Sequence, residues 1–299
     1  MPQAPASVPL VSVVLPTFRR AHLIERAVRN VLSQDYPNLE LIVVNDGSPD
    51  NTSEILARLE QQLHDARLRV ITRENGGLPR ALNTGFEAAL GELWTWTSDD
   101  NAYRPGAIWA MVRELELDPE AVMVFADYQV IHADGSPGEI RTMGPPSDLV
   151  QRNVIGACFL YRASAARRVG AYDASRELAE DYDYWVRMAK VGPLRHLNRV
   201  LYDYGDEPDS LTRQRALEVS HAAAKVISAQ GSRQALLQHM TAMAGQLKSA
   251  GHGARSLWTA LWLVSRFPLS AAGYWAALRA LTPMPLLRAS RRLRGIDGR

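Results

Sequence analysis

Residues 11–48 read VSVVLPTFRRAHLIERAVRNVLSQDYPNLELIVVNDGS, and this stretch decides the fold class. Val11 to Leu15 and Leu39 to Val44 are short apolar runs rich in β-branched residues, the pattern of parallel strands covered on both faces. Between them Leu23, Ala27, Val28, Val31 and Leu32 recur at helical spacing, and Tyr36-Pro37-Asn38 marks a turn. The unit is βαβ. A second helix carries Ile55, Leu56, Leu59 and Leu63, entered through the N-cap-rich segment Ser48 to Thr52. A strand at Leu68 to Thr72, a helix at Leu78 to Leu90 and a strand at Leu93 to Thr97 follow. The alternation predicts an α/β sheet with right-handed crossovers.

Beyond residue 100 the texture loosens. An apolar strand is expected at Val122 to Val130, then a Gly- and Pro-rich stretch from Asp134 to Pro146, and an apolar run at 154–161. Gly170 reads as a helix stop, and Glu180 to Ala189 as a helix closed by Gly192-Pro193. Asp206 to Ser210 reads as a loop or linker.

The chain has 299 residues, 46% hydrophobic and 22% charged, with 20 Gly and 17 Pro. That is a globular composition, enough for about two domains, and it excludes collagen-like and disordered classes. The single cysteine, Cys158, leaves no disulfide framework and no cysteine zinc site; within its apolar run it reads as a small buried hydrophobe. Met1 to Pro9 lacks the basic residues of a secretory signal, and no run of about 18 apolar residues suggests a membrane span. A cytoplasmic protein is expected, with surface attachment to a membrane left open.

The net charge of +2 hides an asymmetry. Arg213 to Arg299 holds 13 basic and 2 acidic residues, which leaves 21 basic and 30 acidic residues before it. The boundary is placed near residue 212, between a first domain, 1–212, and a basic helical extension, 213–299. Such a division implies different partners for the two parts.

In open α/β sheets ligands bind beyond the carboxyl ends of the strands. Here those ends carry Pro16-Thr17-Phe18-Arg19-Arg20, Asn45-Asp46-Gly47-Ser48, Arg73-Glu74-Asn75-Gly76-Gly77 and Ser98-Asp99-Asp100-Asn101. No G-x-G-x-x-G and no Walker lysine loop is present, against a dinucleotide fold or a P-loop enzyme. Asp99-Asp100 is the sharpest feature, because adjacent carboxylates at the end of a buried strand repel unless a cation sits beside them. Mg2+ or Mn2+ bound to a diphosphate meets that need with one or two carboxylates. The alternative is a solvated cap for the helix that begins near Pro105.

Val11-Ser-Val-Val-Leu-Pro-Thr-Phe, Asn45-Asp-Gly-Ser, Asn75-Gly-Gly, Arg80-Ala-Leu-Asn-Thr-Gly85, Ser98-Asp-Asp and Glu180-Asp-Tyr-Asp-Tyr-Trp-Val-Arg187 stand in the order and spacing of the family 2 glycosyltransferases. Over residues 9–212 the chain resembles these inverting enzymes of the GT-A fold. The resemblance implies transfer from a nucleotide-diphosphate sugar, a UDP-sugar foremost, to a hydroxyl of a glycan or lipid-linked acceptor in surface polysaccharide assembly, with Mg2+ or Mn2+. It places Pro16, Thr17 and Phe18 at the nucleobase pocket, and Asn45 and Asp46 around the base. Asn75, Gly76 and Arg80 fall near the donor, Asp99 near its ribose or sugar, and Asp100 at the metal. Asp181 matches the general base, with Glu180 beside it; helix N-terminal acids are the structural alternative.

The chain also departs from the family pattern. Asn45 stands where many relatives carry Asp, Phe18 replaces a frequent Tyr, and Thr97 a further Asp. After Tyr202 the segment lacks the His of a Tyr-x-x-His motif, so the metal shell would draw on Asp100, phosphate and water, or recruit Asp206 or Glu207. His132 and His196 read as structural, as does Asp183, while Trp185 is either a sugar-stacking or a core aromatic. Two other classes stay open. A nucleotidyltransferase normally needs a Gly-rich, Lys-bearing loop after strand one, and a non-catalytic binder would have no use for Asp181.

In the extension, Leu257, Trp258, Leu261, Trp262 and Val264 fall on one broad helical face, and Tyr274, Trp275, Leu278 and Leu281 repeat the pattern before Arg288, Arg291, Arg292 and Arg294. Such faces either lie on an anionic membrane surface through 257–299 or pack on the first domain or a second subunit. No nucleic-acid reading motif accompanies the charge.

Overall fold

The computed structural model describes residues 8–207, 210–249, 253–268 and 270–281. They fall into two compact units, the first running to Val219 without Val150–Arg152, the second comprising those three residues and Ser220 onward.

The first unit begins β1 (Val11–Thr17), α1 (Ala21–Leu32), β2 (Leu39–Asn45), α2 (Thr52–Leu63), β3 (Leu68–Thr72), α3 (Leu78–Ala88) and β4 (Leu93–Trp96). β3, β2, β1 and β4 pair in parallel in that order. Every residue of β1 and β2 is buried, which is why both read as unbroken apolar runs rather than alternating ones. Helix α1 turns Leu23, Ile24, Ala27, Val28 and Val31 onto this sheet.

The second half comprises β5 (Ala102–Tyr103), α4 (Ala107–Leu117), β6 (Met123–His132), β7 (Pro137–Arg141), β8 (Cys158–Arg162), α5 (Ala163–Val169), α6 (Glu180–Met188) and β9 (Leu194–Asp206). β8 joins β4 antiparallel, β6 joins β8 antiparallel, and β9 runs parallel to β6. The result among the described residues is a nine-stranded mixed sheet ordered β3-β2-β1-β4-β8-β6-β9-β5, with β7 beside β6. Gly170 ends α5 with φ 85°, as its sequence position implies. Cys158 is buried, its sulfur 3.9 Å from that of Met111.

Three features differ from the sequence expectation. The Gly- and Pro-rich stretch contains β7, and β5 and the long β9 are additional strands. β9 alternates no clean apolar face; its identity comes from pairing with β6 and β5. It also delivers Gly205 against Asp100, where a Cβ would collide with the Asp100 carbonyl oxygen. Gly205→Ala is therefore expected to cost about 1–3 kcal/mol through overpacking. In thermal unfolding, a melting point equal to wild type would refute that close approach.

The second unit contains the rest of α8 (Ala216–Ala229), which begins beyond the short α7 (Leu211–Gln214), and then α9 (Arg233–Ser249), α10 (Gly253–Arg266) and α11 (Ala271–Leu281). α9, α10 and α11 pack on one another. None of the helices among the described residues is long and apolar enough to cross a membrane. The arginines at 288–294 lie outside the described residues.

Candidate active site

The carboxyl ends of β2 and β3 are held together by one carboxylate. Asp46, buried just beyond β2, accepts from the Gly76 and Gly77 backbone N–H groups at 3.1 and 2.8 Å and from the Asn75 side-chain amide at 3.2 Å. Arg73 adds an ion pair. Asp46 thus spends its charge clamping the β3–α3 loop onto the β2–α2 turn. Gly47 makes this possible: its φ is +71°, and a Cβ there would meet the Asn75 backbone nitrogen at 2.7 Å. Asn45, fully buried, donates to the Ser53 hydroxyl at 2.8 Å and accepts from the Ser48 N–H at 3.0 Å. Both ends of its amide are therefore engaged locally, although the oxygen keeps a second lone pair.

Pro16 and Thr17 complete β1, both buried, and the exposed Phe18 follows under the guanidinium of Arg19, 5.1 Å from the ring centre. Thr17 donates its hydroxyl to Asp99 at 2.8 Å, and Arg20 stands 3.9 Å from the other Asp99 oxygen. Burial, then the adjacent Asp100 charge, push the Asp99 carboxyl up to about 7 despite these partners. Burial raises Asp100 as well, with Arg20 opposing and Glu207 adding to the shift. Arg26 donates to the Asp100 carbonyl, and Asn101 accepts from the Gly205 N–H, each at 3.0 Å. Exposed Arg80 reaches back toward Gly76, where a Cβ would lie 3.0 Å from its Cδ.

The carboxylate pair is under-neutralised, the condition a divalent cation relieves. Among the described residues no three acidic, His or Cys side chains gather to hold a metal by themselves. One or two carboxylates with phosphate and water suffice for Mg2+, so the residues present fit such an ion. Asp206 faces His132 and Arg213, whereas Glu207 contributes to the field at Asp100. The Thr97 hydroxyl is bonded to that of Tyr202, which ties β9 to the strand end that carries Asp99.

Asp181 stands in the first turn of α6, half-buried, and accepts from the Asn153 side chain at 2.9 Å and from the Tyr182 N–H at 2.6 Å. Burial raises its pKa above the ordinary Asp range even so. Glu180 is buried with one oxygen lacking a hydrogen-bond partner, and burial together with the Asp181 charge push it up to about 8. Desolvation outweighs the favourable helix N-terminus at both.

This fixes a sign for stability. Native Glu180 keeps a proton that the unfolded chain releases near 4.5, so stability present below that pH drains away as pH rises through about 8. Glu180→Gln removes the titration. The variant should be more stable than wild type above pH 8, with the difference shrinking as pH falls toward 4.5. Urea melts across that range check it, and parallel profiles for the two proteins would refute it.

Several contributors carry no signal in the sequence. Asn153, from an irregular loop, orients Asp181. Asn83 bonds both the N–H and the carbonyl of Tyr172, tethering α3 to the segment that leads into α6. Trp96 donates to the Tyr172 hydroxyl at 3.1 Å. Trp185 is fully buried against Phe159, ring centres 4.5 Å apart, which corrects the sugar-stacking alternative: it is a core residue. Asp183 pairs with Arg187 at 2.8 Å, and His196 with buried Asp127 at 2.7 Å, both structural links.

The family model for Glycosyl transferase family 2 matches residues 12–173. A glycosyltransferase of Rickettsia felis is 31% identical over 206 residues, 64% of this chain and 33% of the relative. The hyaluronan synthase of Pasteurella multocida is 28% identical over 199 residues, 66% of this chain and 20% of its own length. The match thus spans a third or less of either relative. Among solved structures, a mannosyltransferase from Pyrobaculum calidifontis in complex with GDP-Man and Mn2+ aligns with a TM-score of 0.61 at 22% identity, covering 96% of this chain and 81% of that one. S. aureus TarS residues 1–349 in complex with UDP align with a TM-score of 0.59 at 16% identity, covering 97% and 93%. At such identities the structures establish the fold, a GT-A sheet with flanking helices. With the family model matched over more than half of its length, this chain belongs to glycosyl transferase family 2.

Proposed function

We propose that residues 1–212 transfer a sugar from a nucleotide-diphosphate sugar, a UDP-sugar foremost, to a hydroxyl of a glycan or lipid-linked acceptor, with inversion and with Mg2+ or Mn2+. The basic helical extension, 213–299, would face an anionic membrane surface. The observation that carries the reading is the under-neutralised Asp99–Asp100 pair at the end of β4, on the edge where β1, β2 and β3 also end. The solved relatives support it, one holding GDP-Man with Mn2+ and another UDP. The hyaluronan synthase likeness favours a polysaccharide acceptor.

Attack by an acceptor hydroxyl on the anomeric carbon needs a base on the face opposite the leaving diphosphate. Asp181 takes that proton; direct displacement then inverts the centre. Its raised pKa strengthens it as a base once ionised. Glu180 beside it would hold its own proton at neutral pH, limiting the charge against which Asp181 must ionise. At the other end, Arg80, Arg20 and Arg26 present positive charge toward the diphosphate. Asp100 would hold the metal, with Asp99 beside it on the ribose or sugar, and the ion would neutralise the leaving group. Pro16, Thr17 and Phe18 would line the base pocket. Asn45, Asp46, Asn75 and Gly76 would act chiefly by shaping it.

Thermal stabilisation by UDP, GDP, dTDP and CDP, each with and without Mn2+, tests the reading. One nucleotide that shifts the melting point only with metal is the expected result; a ligand at about 100 times its dissociation constant contributes about 2.7 kcal/mol. No shift with any of the four would refute the donor site.

A further inference from the structure

In the second unit, α10 and α11 bury mostly small residues and leave their tryptophans exposed. α10 buries Ser256, Thr259, Ala260 and Leu263, and α11 buries Ala276 and Ala280. The Ser256 hydroxyl donates to the Ala244 carbonyl of α9 at 2.8 Å, and Lys248 of α9 to the Ala280 carbonyl at 2.7 Å. These small side chains are buried along with Met240, Met243, Leu247, Leu263 and Phe267, while the tryptophans of α10 and α11 are left on the surface. Trp258 is 75% exposed and Trp275 65%; Leu261, Trp262, Tyr274 and Leu281 are exposed as well. On α10 they follow i, i+3, i+4 spacing, a single outward face. Leu257 and Val264, read from sequence as part of the same face, are half-buried at its margin.

Exposed aromatic and aliphatic side chains in this number on two packed helices mark a binding face. Charge selects the occupant. From Ser220 to Leu281 the sequence holds six basic residues and no Asp or Glu, and Arg255, Arg266 and Arg279 are exposed on the same two helices. A second copy would bring like charge against like charge. An anionic bilayer answers both features: tryptophan and tyrosine settle at the headgroup level while arginines meet the lipid phosphates. Neither helix can span, so they would lie in the interface.

We infer that the outward face of α10 and α11, centred on Trp258, Trp262 and Trp275, inserts into the interfacial layer of an anionic membrane. The inference deepens the proposed membrane-facing role of the extension and rests on that reading. It is tested by flotation of the full-length protein with vesicles of phosphatidylcholine, alone or mixed with phosphatidylglycerol. Expected are retention on the anionic vesicles alone, weakening in high salt, and quenching of tryptophan emission by lipids brominated in the acyl chain. The Trp258→Ser/Trp275→Ser variant should bind at least roughly tenfold more weakly. The Trp258→Phe/Trp262→Phe/Trp275→Phe variant should still bind but lose the quenching.

Absence of flotation overturns the inference. So does flotation indifferent to the two serines, which would assign binding to charge alone. A concentration-dependent dimer abolished by the same serines, measured by analytical ultracentrifugation without lipid, would assign the face to a second copy instead. Circular dichroism and the nucleotide-dependent melting shift are read on every variant. A protein that binds nucleotide but not vesicles sinks only this inference, and one that binds vesicles but no nucleotide sinks only the glycosyl-transfer reading.

Discussion

Asp181→Asn is expected to lower turnover by about 10³-fold or more while leaving donor binding unchanged. A positioned general base contributes about 10²–10⁴ in rate, and an amide at this position cannot accept the acceptor's proton at any accessible pH. The substitution is nearly isosteric. Asn153 and the Tyr182 N–H still face the side chain, although the second amide group satisfies one of them poorly. Folding should survive, because Asp181 is only half-buried and lies outside the clamp around Asp46. The pH profile makes the assignment specific. The base works only when ionised, and burial holds Asp181 above the usual value of 3.8, so wild-type activity should fall on acidification at a higher pH than an ordinary Asp would set. The residual rate of the Asn variant should be flat through that window. Because Glu180 and Asp181 titrate together, the inflection belongs to the pair. A turnover within threefold of wild type would remove Asp181 from the mechanism. Unchanged donor binding with lost turnover separates an enzyme from a binder, which has no need of a base.

Asp100→Ala is expected to abolish metal-dependent nucleotide binding and with it transfer. The expected readout is loss of the melting shift that Mn2+ and nucleotide together produce, about 2.7 kcal/mol at a hundredfold excess over the dissociation constant. Mn2+ binding followed by electron paramagnetic resonance should weaken in parallel. Misfolding gives a different signature, because the ligand-free variant should melt at or above the wild-type temperature. Asp99 is pushed up by burial first and by the Asp100 charge second, and removing that charge relieves the repulsion while Thr17 and Arg20 stay in place. A metal-dependent shift that persists in the Ala variant would overturn the assignment and transfer it to Asp99 or Glu207. A ligand-free melting point well below wild type would refute the repulsion.

The part of the molecule whose determinants are local is legible in the amino-acid order alone. β1 to β4 and the helices between them are legible because buried parallel strands are unbroken apolar runs and each helix repeats near 3.6 residues. The positions of the polar strand ends follow from the same pattern. The insertion of antiparallel β8 between β4 and β6 was not legible, nor was β9, whose residues Leu194 to Asp206 mix Arg, His, Asn and apolar types and become a strand by pairing with residues some seventy positions earlier. Tertiary structure also decided what each polar side chain does. Asp46 and Asp99 look alike in sequence, yet the first is saturated by backbone N–H groups and Arg73, while the second shares a buried site with another carboxylate. Trp185 and Trp258 are both aromatics on helices, and one is sealed in the core while the other is 75% exposed. The physical reason is common to all four: burial and hydrogen-bond supply are set by chain segments far away in sequence, which periodicity cannot report.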